Sequence, residues 1–221
     1  FEIPAHWARF RAMDWGSARP FRVGWYAVAD GTTIVSRGTL VKYREWYGMT
    51  PNQPNVGIKF TAEEVAEGIA TREQGDIMDD YVLDPSAFSQ DGGKSIAERM
   101  FDHSRVSWRP ADNKRIGKLG ALGGWDQLRA RLKGEDGKPL ILFFSTCTHT
   151  IRTIPVLQHD ETRAEDVDTE GEDHAADETR YACMSRPLVR DHPSQPEAKF
   201  PIHRTIDQLI KHARSKRLGE E

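Results

Sequence analysis

Between Asp160 and Tyr181 the sequence DETRAEDVDTEGEDHAADETRY sets ten carboxylates (Asp160, Glu161, Glu165, Asp166, Asp168, Glu170, Glu172, Asp173, Asp177 and Glu178) against two arginines. Like charges at that density repel one another, and a divalent cation turns the repulsion into attraction. A helix running on from Asp173 puts His174, Asp177, Glu178 and Tyr181 at i, i+3, i+4 and i+7, on one face. Two of these are oxygen ligands and one is a nitrogen ligand. Asp173 and Asp177, four residues apart, cost an isolated helix about 0.2–0.5 kcal/mol unless a cation joins them. The competing reading is a solvated loop leading into a helix whose dipole favours acid at its start, capped by Thr169 with Glu172 or Asp173. On this segment alone that reading ranks first, although it leaves Asp177, a turn further in, poorly explained.

Two further carboxylates stand where strands should end. Residues 8–15, ARFRAMDW, alternate into Asp14 before the turn-prone GSARP. Tyr81-Val82-Leu83 is a short apolar run ending in Asp84, and Pro85 stops any strand there. Taken singly, Asp14 opens a turn and Asp84 makes an Asx-turn. Together with the acidic helix they form an oxygen-rich set suited to Mg²⁺ or Mn²⁺ and poorly suited to zinc. Two such ions about 3.5–4 Å apart clamp a phosphodiester, one activating water and the other stabilising the leaving oxygen.

The elements that must bring these residues together follow in order. Phe21–Ala29 is rich in β-branched and aromatic residues, Asp30-Gly31 is a hairpin signal, and 32–43 resumes the alternation, which predicts three antiparallel strands. Arg44–Asn55 reads as a loop. Thr61 with Glu64, and Ser95 with Glu98, are capping boxes for two helices. Val106-Ser107-Trp108 predicts a short strand, and 113–132 predicts a helical segment divided by its glycines. Leu140–Phe144 (LILFF) has the continuous apolarity of a strand buried on both faces. The expected fold is an α/β mixed sheet, three antiparallel strands followed by parallel βα units, flanked by helices. Strand one is then central and strand four its parallel neighbour, so Asp14 and Asp84 sit side by side, and the acidic helix crosses to meet them.

With 38% hydrophobic and 29% charged residues the chain belongs with globular proteins rather than disordered ones, and no apolar run approaches a membrane span. Cys147 and Cys183 make neither a disulfide framework nor a zinc set, which predicts a reducing cytosol. The net charge of −3 argues mildly against nucleic acid, yet outside the acidic stretch the chain is net positive. Basic residues gather between Lys94 and Lys133 and again from Lys199 to Arg217. The chain starts at Phe1 without methionine, which predicts an excised domain or a processed product.

MDWG at 13–16, LDPS at 83–86, KSIAER at 94–99, GWDQLRARL at 124–132 and above all EDVDTEGEDHAADETRY at 165–181 resemble the C-terminal nuclease domain of large terminase subunits from tailed bacteriophages. The resemblance covers about Phe10–Arg186. It implies an RNase H-like nuclease domain over 1–190; beyond it the sequence itself predicts a basic tail over 191–221 with a helix that Thr205 and Gln208 can cap. The resemblance also implies a metal-dependent endonuclease, using two Mg²⁺ or Mn²⁺ ions, that cuts concatemeric viral DNA with little sequence specificity during packaging. Carried over by residue, Asp14 and Asp84 are metal ligands, Asp177 is the acid of an HxxD helix, and His174 is a second ligand or phosphate contact. Asp173, which competes as an N-cap, ranks behind Asp177. The expected partners are double-stranded DNA, an N-terminal ATPase domain of the same protein, the small terminase subunit and the portal, in the host cell cytoplasm with no membrane. No GxxxxGK[ST] phosphate loop occurs in the chain, so it should not hydrolyse ATP. Lys94, Arg105, Arg109, Lys114, Arg115 and Lys118 are candidates to hold the DNA backbone. The rivals are another RNase H-fold nuclease (a junction resolvase or an RNase H) and a non-catalytic DNA- or portal-binding assembly module.

Overall fold

A computed structural model describes residues 1–73, 75–117 and 122–188. The chain opens with three antiparallel strands, β1 (Arg9–Asp14), β2 (Arg22–Val28) and β3 (Leu40–Tyr47), followed by α1 (Ala62–Arg72) and β4 (Asp80–Leu83). Then come α2 (Ile96–Ser104), β5 (Arg109–Pro110), α3 (Gly124–Lys133), β6 (Ile141–Phe143), α4 (Thr148–Thr153) and α5 (His174–Ser185). The sheet order is β5-β4-β1-β2-β3-β6; β4 runs parallel to β1, β5 to β4, and β6 to β3. This is a six-stranded mixed sheet flanked by five helices among the described residues.

Alternation along β1 and β2 builds two cores. Phe10, Ala12 and Tyr26 face α3 and α5, packing on Trp125, Leu128, Tyr181 and Cys183. Met13, Val23 and Trp25 face α1 and α2, packing on Val65, Ile69 and Met100. Each of the larger aliphatic or Phe and Met side chains among them, once fully buried, contributes about 1.5–3 kcal/mol. Both expected capping boxes form: Thr61 with Glu64 starts α1 and Ser95 with Glu98 starts α2, each satisfying orphan amides reciprocally.

Several expectations are corrected. The second hairpin does not resume at Thr32. Asp30 accepts from the Thr32 amide and Thr33 from the Val35 amide, and such local bonds displace the ladder until Leu40. The strand then runs on through Arg44–Tyr47, which reads as loop in the sequence, because Tyr47 pairs with Arg22 beneath Asp14. The short strand is Arg109–Pro110 rather than 106–108, whose Val106 and Trp108 pack on the α2 side instead. Within 113–132 only Gly124 onward is helical among the described residues. LILFF forms a strand at the edge of the sheet, bonded through β3 alone, and Leu142 and Phe143 are only half-buried. Helix α4 has no counterpart in the sequence expectation. The basic tail 191–221 and its expected helix lie outside the described residues.

Candidate active site

Asp14 is the last residue of β1, and Asp84 follows the last residue of β4. Met13 pairs with Leu83, and the Asp84 amide donates to the Met13 carbonyl at 3.0 Å, so the two acids leave adjacent parallel strands together. Asp84 is also the Asx-turn that its proline suggests: its carboxylate accepts from the Ser86 amide at 3.0 Å and the Ser86 hydroxyl at 2.6 Å. Helix α5 packs across β1, β2 and β4 and begins beside this pair. His174 Nδ1 lies 3.2 Å from Asp14 Oδ2, and Asp173 Oδ1 lies 3.9 Å from the same nitrogen. Asp14, Asp84, Asp173 and His174 therefore lie at one end of β1 and β4.

Their electrostatics are those of anions held together out of water. Burial, and then the Asp177 and Asp84 carboxylates, push Asp14 up to about 7, although the His174 hydrogen bond works the other way. Burial, and next Asp177, lift Asp173 to about 6. Burial alone would lower His174, but Asp14 and the neighbouring acids raise it. Asp173 occupies the N-cap position of α5 without making a capping hydrogen bond, and Thr169 makes none either. At 4% exposure its carboxylate has no side-chain donor within hydrogen-bonding distance among the described residues, and only a backbone amide lowers its pKa through a hydrogen bond.

Asp177 is placed differently. Arg180 Nη2 lies 2.8 Å from it and Arg115 Nη1 3.1 Å. Arg115 also donates to Asp166 at 2.7 Å, and Trp125 Nε1 donates to the same acid at 2.9 Å. Burial opposes the ionised form of Asp166, yet these donors bring it below the ordinary carboxylate range. Glu178, expected on the ligand face, is fully buried and bonded to Lys42 instead. Residues 161–165 and 169–171 are exposed and form a loop leading into α5, whereas of the ten acids only Glu161, Glu165 and Glu170 are exposed.

The oxygens of Asp14, Asp84 and Asp173 suit a hard dication in kind, and Asp173 in particular has no side-chain donor among the described residues. Among the described residues no three acidic or histidine side chains close tightly enough to hold an ion as they stand. Arg115 supplies the nearest fixed positive charge there, 3.9 Å from Asp173.

The expected DNA contacts scatter. Lys94 pairs with Asp102 at 2.6 Å, Arg109 grips Asp80 through two bonds, and Arg105 ends α2 over the Phe101 ring. Lys114 is exposed near Asp112, and only Arg115 joins the acids. Lys118 lies outside the described residues. Sequence reading misses Asp166, hidden in a run of equivalent acids. It also misses Asn55, whose one signal is a residue type tolerant of a left-handed backbone.

No family model matches the sequence, and no curated protein matches it. Solved structures are similar in fold. The large terminase of a thermophilic bacteriophage superposes with a TM-score of 0.60 at 18% identity, over 83% of this chain and 41% of that one. The same protein in complex with ATP-gamma-S gives 0.59 at 20% identity over 85% and 42%. The P22 large terminase nuclease domain gives 0.57 at 17% identity, over 84% of both chains. The chain thus spans about two fifths of the thermophilic-phage terminase it matches. Its mixed sheet, with two acids at adjacent strand ends and a third at the head of a crossing helix, has the RNase H-like fold of the nuclease domain of large terminases.

Proposed function

We propose that this chain is a divalent-metal-dependent endonuclease that cuts concatemeric viral DNA, with little sequence specificity, during genome packaging. The observation that supports this best is the convergence of Asp14, Asp84, Asp173 and His174 at one end of β1 and β4, in a fold that covers 84% of the P22 nuclease domain. Asp14 and Asp84 bind cations from the strand ends. Asp173 is the third ligand and Asp177 a structural acid, which reverses the order suggested by sequence, because Arg115 and Arg180 already neutralise Asp177. Mg²⁺ or Mn²⁺ ions, two by this reading, supply the charge that activates water and stabilises the leaving oxygen. His174 presents Nδ1 beside Asp14 as a further ligand or phosphate contact. Lys94, Arg105, Arg109, Lys114 and Lys118 attract the phosphate backbone without regard to sequence, and salt weakens that attraction. Arg115 is instead an internal counter-ion of the acidic helix.

Matching two fifths of the thermophilic-phage terminase supports an ATPase domain elsewhere in the same protein. The packaging role brings the small terminase subunit and portal as partners in the host cytoplasm. No helix of the described residues is long and apolar enough to cross a membrane.

Supercoiled plasmid incubated with the protein in Mg²⁺, Mn²⁺ or chelator tests the reading, with Asp84→Ala alongside. Metal-dependent nicking and linearisation, lost by at least about 100-fold in the variant, is the expected result. Absence of cutting in both metals removes the nuclease assignment for this chain. Faster cutting of four-way junctions or RNA–DNA hybrids than of linear duplex would reassign it within the fold. DNA binding without cleavage or metal stabilisation would make it an assembly module.

A further inference from the structure

Asn55 lies in the loop between β3 and α1, and nothing in the family pattern above singles it out. Its backbone is left-handed, φ +63°, which asparagine tolerates. The loop around it is held by bonds from the Thr50 amide to the Val56 carbonyl at 2.7 Å and from the Val56 amide to the Gln53 carbonyl at 3.2 Å. The Gly57 amide then donates to the Ala18 carbonyl at 2.8 Å, fastening the loop to the turn that follows Asp14. A Cβ on Gly57 would lie 2.1 Å from the Ser17 carbonyl oxygen, so this approach requires glycine. The loop is built to put one side chain in one place.

That side chain bridges the two halves of the site. Asn55 Nδ2 lies 3.2 Å from the carbonyl oxygens of both Glu170 and Gly171, on the segment leading into α5. Two carbonyls accept and never donate, so they fix which end of the amide is nitrogen. Asn55 Oδ1 is then the end facing His174 Nε2, at 3.0 Å. An amide oxygen also only accepts, so Nε2 carries the hydrogen. In the neutral ring the lone pair is then on Nδ1, which faces Asp14 Oδ2 at 3.2 Å, so the hydrogen bond between them is made by one proton that either nitrogen or carboxyl can carry.

We infer that Asn55 is a positioning residue: it fixes His174 with Nε2–H toward the Asn55 amide oxygen and Nδ1 toward the cation-binding carboxylates. Histidines at metal sites are commonly oriented in this way through the nitrogen that does not face the metal. The inference rests on the nuclease reading for its consequence but not for its geometry.

Asn55→Gly removes the amide while suiting the left-handed backbone, so the loop should fold. Asn55→Asp keeps an acceptor for Nε2–H and loses the two carbonyl bonds. In the metal-free protein, long-range ¹H–¹⁵N spectra of the His174 ring should show hydrogen on Nε2 in the wild type and in Asn55→Asp. Asn55→Gly should show a mixture of tautomers. In Mn²⁺, Asn55→Gly should lower kcat for plasmid nicking about 10–100-fold with KM unchanged, with Asn55→Asp in between. The double variant with His174→Ala should be no slower than His174→Ala alone. If the wild type cuts no DNA, the nuclease reading fails while the spectra still decide the Asn55–His174 tie. An unchanged His174 spectrum in Asn55→Gly overturns the inference, even if cleavage falls. So does kcat within about twofold of the wild type, or an additive loss in the double variant.

Discussion

Asp173 and Asp177 stand one turn apart on the same helix with opposite surroundings. Asp177 is held by Arg180 at 2.8 Å and Arg115 at 3.1 Å, whereas among the described residues Asp173 has no nearer cationic group than Arg115 and His174, both at 3.9 Å. A nearly buried anion with so little hydrogen bonding destabilises its own fold, and a cation or a proton relieves that. Asp173→Asn should therefore add roughly 1 kcal/mol of stability in chelator, raising the melting temperature by about 2–4 °C, while abolishing cleavage and the stabilisation by Mn²⁺. Asp177→Asn should do the reverse, lowering stability by about 1–3 kcal/mol because buried Arg180 loses its anion. Differential scanning fluorimetry of the two variants, with and without Mn²⁺, separates them. A stabilised Asp177→Asn beside a destabilised Asp173→Asn would return the metal role to Asp177.

At the scale of elements, α5 is docked on the sheet by charge as well as by apolar packing. Lys42 on β3 bonds Glu178 on α5 with both side chains fully buried, and Lys42 also donates to Thr150 on α4 at 2.9 Å. Arg22 reaches the same Thr150 and Glu45, and Glu45 accepts from the His149 and Thr150 amides at the head of α4. Gly24 leaves the space for Glu178: a Cβ there would lie 2.2 Å from its carboxylate. Removing one partner of a buried pair strands the other, so Lys42→Met should cost about 3–5 kcal/mol, and adding Glu178→Leu should recover much of it. Chemical denaturation of the two single variants and the double one measures this, and additive losses would refute the pairing. The same cluster marks where the sequence stops being legible. Asp14 and Asp84 are readable because strand ends carry turn and proline signals, and α1 and α2 because capping boxes are local. Lys42 and Glu45 share a face only because the ladder shifts between Trp25 and Tyr26, opposite Tyr43. A bulge breaks the period of two on which face assignment depends. Glu178 reads as a ligand on helical spacing alone, since its partner lies 136 residues away. Asn55 and Arg115 likewise act through contacts that only the closed fold creates.

Across the whole molecule the carboxylates pull stability in two directions with pH. Glu172, held by Arg152 and Tyr47, sits at about 2, and Asp80, bonded first by Arg109 and also by Arg186, lies below the ordinary range. Their contribution is present above the unfolded values near about 4 and is lost as pH falls toward about 2. Asp173 at about 6 and Asp14 at about 7 are shifted upward, so what they contribute is present below about 4 and is lost as pH rises through those values. His174, also raised, loses its contribution in the same direction, beginning at its unfolded value near 6.5. The metal-free protein should thus be most stable near about pH 4.5–5, because the gain from the first group is complete there and the loss from the second has only begun. By about pH 8 stability in chelator should have fallen by on the order of 2 kcal/mol, which lowers the melting temperature by roughly 4–8 °C for a chain of this length. A cation that binds the deprotonated acids opposes that loss, so Mn²⁺ should flatten the limb between about pH 5 and 8 and leave the acid limb unchanged. Melting curves from about pH 3 to 8 in both conditions test this, and a chelator curve that rises from about pH 5 to 8 would mean that the acids at the ends of β1 and α5 are not held together as anions at all.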